Sequence, residues 1–334
     1  MVKWILGLGV LVVALLAAGF FLLQRPGETY AALDADYASP ASKFMDMGDG
    51  VSAHYRDEGN PNGRTMLLVH GFSASLHTWE KWVGLLGGEY RMVSVDLPGH
   101  GLTRTPENYA PTIEGFADFL DRFADKAGIQ KAVVVGSSMG GGAAWQMALR
   151  HPARVEALVL VGASGWPDPR IDDAEEPAIF KMLRNPVMGP VLRRLDNTPM
   201  VRQGLEASFV NTALVDDAMV ARYVRMSRAP NHGDVLLAIM TGSAERTVAT
   251  AEALAAIKAP TLILHGRQDN LVAVDGATKF NDAIAGSRLI IYDEVGHLPQ
   301  EEIPERSGED LRAFLRAAFP EPAAGAPLNA ALTP

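Results

Sequence analysis

Gly136-Ser137-Ser138-Met139-Gly140 is the stretch that decides how this chain is read. The run before it, Lys131-Ala132-Val133-Val134-Val135, is short, apolar and β-branched, and predicts a buried strand. Gly141 to His151 after it predicts a helix. A serine between two glycines at a strand-to-helix turn is a nucleophile elbow. Glycines are required because a turn this tight leaves no room for flanking β-carbons. The turn lifts the Ser138 hydroxyl over the end of the sheet, where a substrate can meet it.

Outward from the elbow, strands and helices alternate. Strands are predicted at Phe44–Met47 and Val51–Arg56 (a hairpin around Gly48-Asp49-Gly50), Thr65–His70, Tyr90–Asp96, Val155–Val161, Thr261–His265 and Arg288–Tyr292. Helices are predicted at Trp79–Leu86, Thr112–Ala127, Val274–Ile284 and Arg306–Ala318. In the second of these, Ile113, Phe116, Phe119, Leu120 and Phe123 recur at helical spacing. This alternation predicts an α/β fold with a mostly parallel sheet flanked by helices. From Gly165 to Thr247 the rhythm breaks. Seven prolines divide this stretch into short helical pieces, read as a helical cap inserted over the active edge. It holds six of the 13 methionines (182, 188, 200, 219, 226 and 240), some of which are expected to line an acyl pocket.

The 334 residues carry a net charge of −9, which argues against a nucleic-acid partner. With no cysteine, disulfides, thiolate nucleophiles and thiolate metal sites are excluded. Nothing calls for a metal or an organic cofactor. Trp4–Leu23 is a run of 20 residues without a charge, long enough as a helix to span about 30 Å of hydrocarbon. An uncleaved transmembrane anchor is favoured over a cleaved secretory signal, because Phe20–Leu23 continues the apolar run past Ala17-Ala18-Gly19. Lys3 before the span gives a slight lean to a cytoplasmic N-terminus, which in a bacterium puts the main domain in the periplasm. If the segment is cleaved, the domain is secreted. The expected organisation is an anchor at 4–23, a linker at 24–42, a core at 43–164 and 248–319, a cap at 165–247 and a loose tail at 320–334.

A serine hydroxyl needs a base, and the base an orienting acid. In elbow proteins the order along the chain is serine, acid, histidine. Of the eight histidines, His297 in Gly296-His297-Leu298 lies just past a strand end, where function collects in α/β sheets. Asp269 in Gly266-Arg267-Gln268-Asp269 has the same setting, and Asp293 and Asp275 are its rivals. Ser138, Asp269 and His297 are therefore the candidate catalytic residues. Two backbone N–H groups are needed for the oxyanion, and Met139 and Phe72 are the candidates: one follows the nucleophile, the other sits in His70-Gly71-Phe72 after a strand.

Five ordered motifs together resemble the α/β-hydrolase superfamily, over about Phe44 to Phe319: His70-Gly71-Phe72, Asp96-Leu97-Pro98-Gly99-His100-Gly101, the elbow, Gly266–Asp269 and Gly296-His297. The elbow sequence with a helical cap is similar to membrane-tethered bacterial esterases and lipases. The resemblance implies a Ser138–Asp269–His297 triad, an α/β-hydrolase fold behind an N-terminal transmembrane helix, and hydrolysis of small-molecule or lipid-like carboxylic esters. Carbon–carbon hydrolases of ring-cleavage products share Ser-Met-Gly-Gly, but often carry asparagine and tryptophan where this chain has Ser137 and Leu298. That reading and acyl transfer stand as alternatives, with a non-catalytic binder third. Lys181, Arg184, Arg193, Arg194 and Arg202, opposed only by Asp196, form a basic cluster on the cap that either is solvated or rests on anionic lipid.

Overall fold

The computed structural model describes residues 18–20, 23–168, 170, 178–242 and 248–320. Its eight strands form one sheet: β1 (Ser42–Gly48), β2 (Val51–Gly59), β3 (Thr65–Val69), β4 (Arg91–Val95), β5 (Ala132–Ser137), β6 (Val155–Val161), β7 (Thr261–Gly266) and β8 (Arg288–Tyr292). The spatial order is β1-β2-β4-β3-β5-β6-β7-β8. The β1–β2 hairpin and the β2–β4 pair are antiparallel, and β3 to β8 run parallel.

The strand pattern explains the layering. Along β3, Leu67 and Val69 face one side and Met66 and Leu68 the other. The first side packs on Phe116, Phe119, Leu120 and Phe123 of helix Ile113–Lys126 and on Trp145 of helix Met139–Arg150. The second packs on Trp79, Trp82, Leu311 and Phe314. Both faces are covered, so the inner strands are continuously apolar, as parallel strands must be. From β3 the chain moves outward to β4, then returns across β3 to β5. This reversal opens a crevice beyond the carboxyl ends of β3 and β5, the usual ligand site of such sheets.

Between β6 and β7 lie the helices Ala178–Arg184, Gly189–Leu192, Thr198–Ser208, Asp217–Met226 and His232–Thr241. Leu205, Phe209, Val215, Val220 and Val224 form a small core of their own there. Of the six cap methionines, Met182, Met188, Met200 and Met240 are exposed. Met226 packs with Leu33, Leu102 and Ala229, and Met219 sits at the edge of the cap core. Most of this set is therefore exposed.

Residues 24–42, expected to be a plain linker, hold a helix at Tyr30–Tyr37, capped by Thr29. It docks on the cap: Leu33 is fully buried, Arg225 forks onto Glu28 and Asp36, and the Tyr30 hydroxyl meets Pro230 O and His232 Nε2. The helix was hidden because Leu33, with Tyr30 and Tyr37 beside it, and the ion pairs to Arg225 all meet distant segments, which a short helix with one aliphatic anchor does not announce in the sequence. Apart from 18–20 and 23, the expected anchor Trp4–Leu23 lies outside the described residues, as does the tail beyond Pro320. Among the described residues no helix is long and apolar enough to cross a membrane.

Candidate active site

Ser138 sits at φ 54°, ψ −119°, left-handed backbone that a non-glycine residue adopts at a cost of about 1–3 kcal/mol. The surroundings hold it there. Its N–H donates to Val161 O at 2.9 Å, and its carbonyl accepts from Gly142 N and Ser164 N, both at 3.1 Å. A β-carbon on Gly136 would overlap the Gly140 carbonyl, and one on Gly140 would overlap the carbonyls of His70 and Val69. The turn thus closes on its own glycines and on the end of β3. Met139, buried, opens the helix behind the serine.

The loop His70-Gly71-Phe72 passes directly beside Ser138. A β-carbon on Gly71 would stand 3.0 Å from Ser138 Cβ and 3.6 Å from its Oγ. His70 fixes this loop: its Nδ1 lies 2.7 Å from Gly71 O, and its Nε2 accepts from Leu97 N at 3.0 Å. Full burial pushes this imidazole below the ordinary histidine range, against the pull of Asp96. A neutral ring is what one donating and one accepting nitrogen require. Among the described residues the N–H groups of Phe72 and Met139 have no hydrogen-bond partner.

His297 and Asp269 meet at the neighbouring strand ends. Nδ1 of His297 lies 2.6 Å from Asp269 Oδ2, and both residues are buried. Asp269 Oδ1 accepts from Leu271 N and Val272 N, each at 2.8 Å. Burial alone would raise this carboxyl, but hydrogen bonds from His265 and His297 hold it well below the usual carboxylate range. An ionised partner at Nδ1 selects the tautomer with its proton there, leaving the Nε2 lone pair free to act as base. The imidazole lies against Gly162, whose β-carbon would fall 3.1 Å from Nδ1. Gly162 directly follows Val161, the residue that binds Ser138 N–H. The serine and the histidine thus flank the same end of β6. The cap closes the other side, with His297 N–H donating to Ser208 O at 2.7 Å and Leu298 packed on the cap core.

The rivals separate cleanly. Asp293 is exposed and paired with Arg267, and Asp275 is exposed in the first turn of helix Val274–Ala283. His54 is bonded to Asp96 and Ser42, His151 to Asp118, and His232 to Met226 O and Thr103 O. Two neighbours of the site were not foreseen. His265 Nε2 lies 3.2 Å from Asp269 Oδ2, and its only trace in the sequence is a polar residue ending an apolar strand, four before an aspartate. Gln300 Nε2 reaches Ser137 Oγ at 3.3 Å and Thr78 Oγ1 at 3.1 Å, tying the histidine loop to the elbow, and nothing local signals it. Among the described residues no group of three or more His, Asp or Glu is placed to hold a metal ion.

An elbow serine and a histidine–aspartate pair at the carboxyl edge of such a sheet is the architecture of the α/β-hydrolases. The chain belongs to that family: residues 64–304 match its model, the alpha/beta hydrolase fold. Among relatives, 2-hydroxymuconate semialdehyde hydrolase of Pseudomonas sp. (strain CF600) is 28% identical over 293 residues, covering 86% of this chain and 98% of that one. A monoacylglycerol lipase of Xenopus laevis is 28% identical over 284 residues, covering 82% and 81%. In three dimensions the chain superposes with TM-score 0.70 on a meta-cleavage product hydrolase from Pseudomonas fluorescens IP01, at 25% identity, covering 83% of this chain and 98% of that one.

Proposed function

We propose that the protein is a serine hydrolase that cleaves carboxylic esters, small or lipid-like, through an acyl-enzyme on Ser138. The observation that carries the reading is the strained serine turn and the buried His297–Asp269 pair flanking one strand end. Nε2 of His297 takes the Ser138 proton as Oγ bonds to the ester carbon. The oxygen that becomes negative is received by the N–H groups of Phe72 and Met139, aided by the positive end of the helix behind Met139. Nε2–H then gives its proton to the departing alkoxide as the C–O bond breaks. Water attacks the acyl carbon, giving a proton to Nε2, and that proton returns to Oγ as the acid leaves. Asp269 stays ionised throughout and stabilises the imidazolium. Trp4–Leu23 anchors the domain to a membrane, in a bacterium with the domain on the periplasmic side.

Ser138→Ala should abolish turnover of p-nitrophenyl esters and labelling by a fluorophosphonate probe while near-UV circular dichroism stays unchanged. Activity in that variant equal to wild type would overturn the proposal. Carbon–carbon hydrolysis is the second reading, favoured by the likeness to 2-hydroxymuconate semialdehyde hydrolase. It uses the same serine, so ester and vinylogous diketone substrates assayed side by side separate the two.

A further inference from the structure

The cap carries a surface that neither the catalytic residues nor the cap core uses. Helices Ala178–Arg184 and Gly189–Leu192 form a hairpin. Its turn is held by Asn185, whose side-chain oxygen accepts from Val187 N at 2.9 Å and Met188 N at 3.0 Å. Held this way, the turn keeps apolar side chains in solvent. Val187 at the tip is 77% exposed, and Ile179, Met182, Met188 and Val191 are exposed with it. From Ala178 to Leu195 there are four cations, Lys181, Arg184, Arg193 and Arg194, and no acidic residue, in a chain whose net charge is −9. Arg193 reaches Asp234 at 3.3 Å across the cap, and Arg202 leaves the cluster to pair with Asp217.

One contact fixes where this surface sits. Leu23 O accepts from Asp196 N, and Arg25 N donates to Arg194 O, each at 2.8 Å, so that Gln24 and Leu195 form an antiparallel bridge. The last residue of the apolar run Trp4–Leu23, itself 57% exposed, is therefore one strand spacing, about 5 Å, from the base of the hairpin. Exposed aliphatic side chains among cations, beside an apolar run long enough to span a bilayer, are the chemistry of an interfacial helix on anionic lipid.

We propose that the hairpin 178–195 is a membrane-docking element that lays the cap on an anionic bilayer. The proposal rests on reading Trp4–Leu23 as a span. Its consequence for the site is direct: the next cap helix, Thr198–Ser208, ends on the His297 backbone, so a docked cap sets the catalytic histidine one helix from the lipid surface. An acyl ester drawn from the bilayer would not need to cross open water.

The absence of cysteine makes the test clean. The full chain carrying Val187→Cys is labelled with an environment-sensitive fluorophore and reconstituted into phosphatidylcholine vesicles, with and without phosphatidylglycerol. Leu85→Cys, exposed on the helix Glu80–Leu86, is the control. Docking predicts a blue shift and quenching by doxyl lipids at position 187, strengthened by phosphatidylglycerol, and neither at 85. Adding Lys181→Gln should lower the docked fraction ratio about fivefold in the anionic vesicles. Hydrolysis of a water-soluble ester in detergent should be unchanged in the labelled variants. Vesicles that carry the protein while the probe at 187 stays in water overturn the docking and leave the anchor standing. Failure to float with vesicles overturns both. A blue shift in detergent that grows with protein concentration gives the face to a second copy of the chain, and also overturns the proposal.

Discussion

Asp269→Asn is the sharpest test of the catalytic assignment, because the structure dictates how the amide must sit. Oδ1 accepts two backbone N–H groups, from Leu271 and Val272, so the asparagine oxygen is held on that side. Turning it round would set an NH2 against two donors and leave both without a partner, at about 1–3 kcal/mol each. The NH2 therefore replaces Oδ2, and it faces His297 Nδ1 and His265 Nε2. His297 can meet it only by moving its proton to Nε2, the nitrogen that must be empty to accept from Ser138. Restoring the base tautomer means a buried donor-to-donor conflict, about 1–3 kcal/mol, and the imidazolium formed in the reaction also loses a charged hydrogen bond, about 1.5–3 kcal/mol. Together these slow the reaction by roughly 10²–10⁴, and the matched change in the serine-protease template falls at the top of that range, near 10⁴. The assay is kcat for a p-nitrophenyl ester together with the rate of fluorophosphonate labelling, both expected to fall while the fold persists. A variant within about tenfold of wild type in both would refute Asp269 as the orienting acid.

Gly71→Ala puts a methyl group 3.0 Å from Ser138 Cβ and 3.3 Å from Ser137 O, so the loop bearing Phe72 N–H must shift; kcat should drop about 10–100-fold with KM little changed, and an unchanged kcat would remove Phe72 from the oxyanion site. His77 is pushed down to about 4 by burial, opposed by Asp96 and Glu80 and reinforced by Arg222 and Arg56. The unfolded chain therefore binds this proton more tightly than the native state, and stability should fall by up to about 3 kcal/mol as pH drops from about 6.5 to 4. In urea titrations His77→Asn should flatten that slope, and an identical slope would refute the cause.

The strands were legible because the parallel ones are buried on both faces, and continuous apolar runs such as Met66–Val69 and Val133–Val135 admit few other readings. The candidate site was legible because each proposed residue lies within a few positions of a strand end: Ser138 directly after β5, Asp269 three residues past β7 and His297 five past β8. What stayed hidden depends on contacts between distant segments. Gln300 reaches Ser137 across 163 positions, and Arg225 joins Asp36 of the Tyr30–Tyr37 helix to the cap across 189. No local period encodes such pairs. The exposure of four cap methionines was hidden for a related reason: which face a short helix turns to solvent is set by its neighbours.

A second constellation in the molecule tests whether connectivity alone makes a catalyst. Ser42 Oγ lies 2.8 Å from His54 Nε2, and His54 Nδ1 lies 2.7 Å from Asp96 Oδ2. On paper this is a serine–histidine–aspartate chain as good as any. Yet Ser42 begins a regular strand and is not among the positive-φ residues, so no strained turn presents its hydroxyl. Its Oγ already accepts from Ser39 N at 3.0 Å. His54 is fully buried, and both oxygens of Asp96 also accept backbone N–H groups, from Leu76 and Leu102. This carboxyl lies well below the usual range, with hydrogen bonds led by His54 outweighing its burial, as Asp269 does with its own histidines. The pairing of acid and imidazole is thus the same at both places. What differs is the elbow, the adjacent N–H groups without partners and the switch point of the sheet, all of which belong to Ser138. Fluorophosphonate should therefore leave Ser42 unlabelled even when Ser138 is replaced by alanine, and an adduct there would mean that the hydrogen-bonded chain, and not the strained turn, is what activates a serine in this protein.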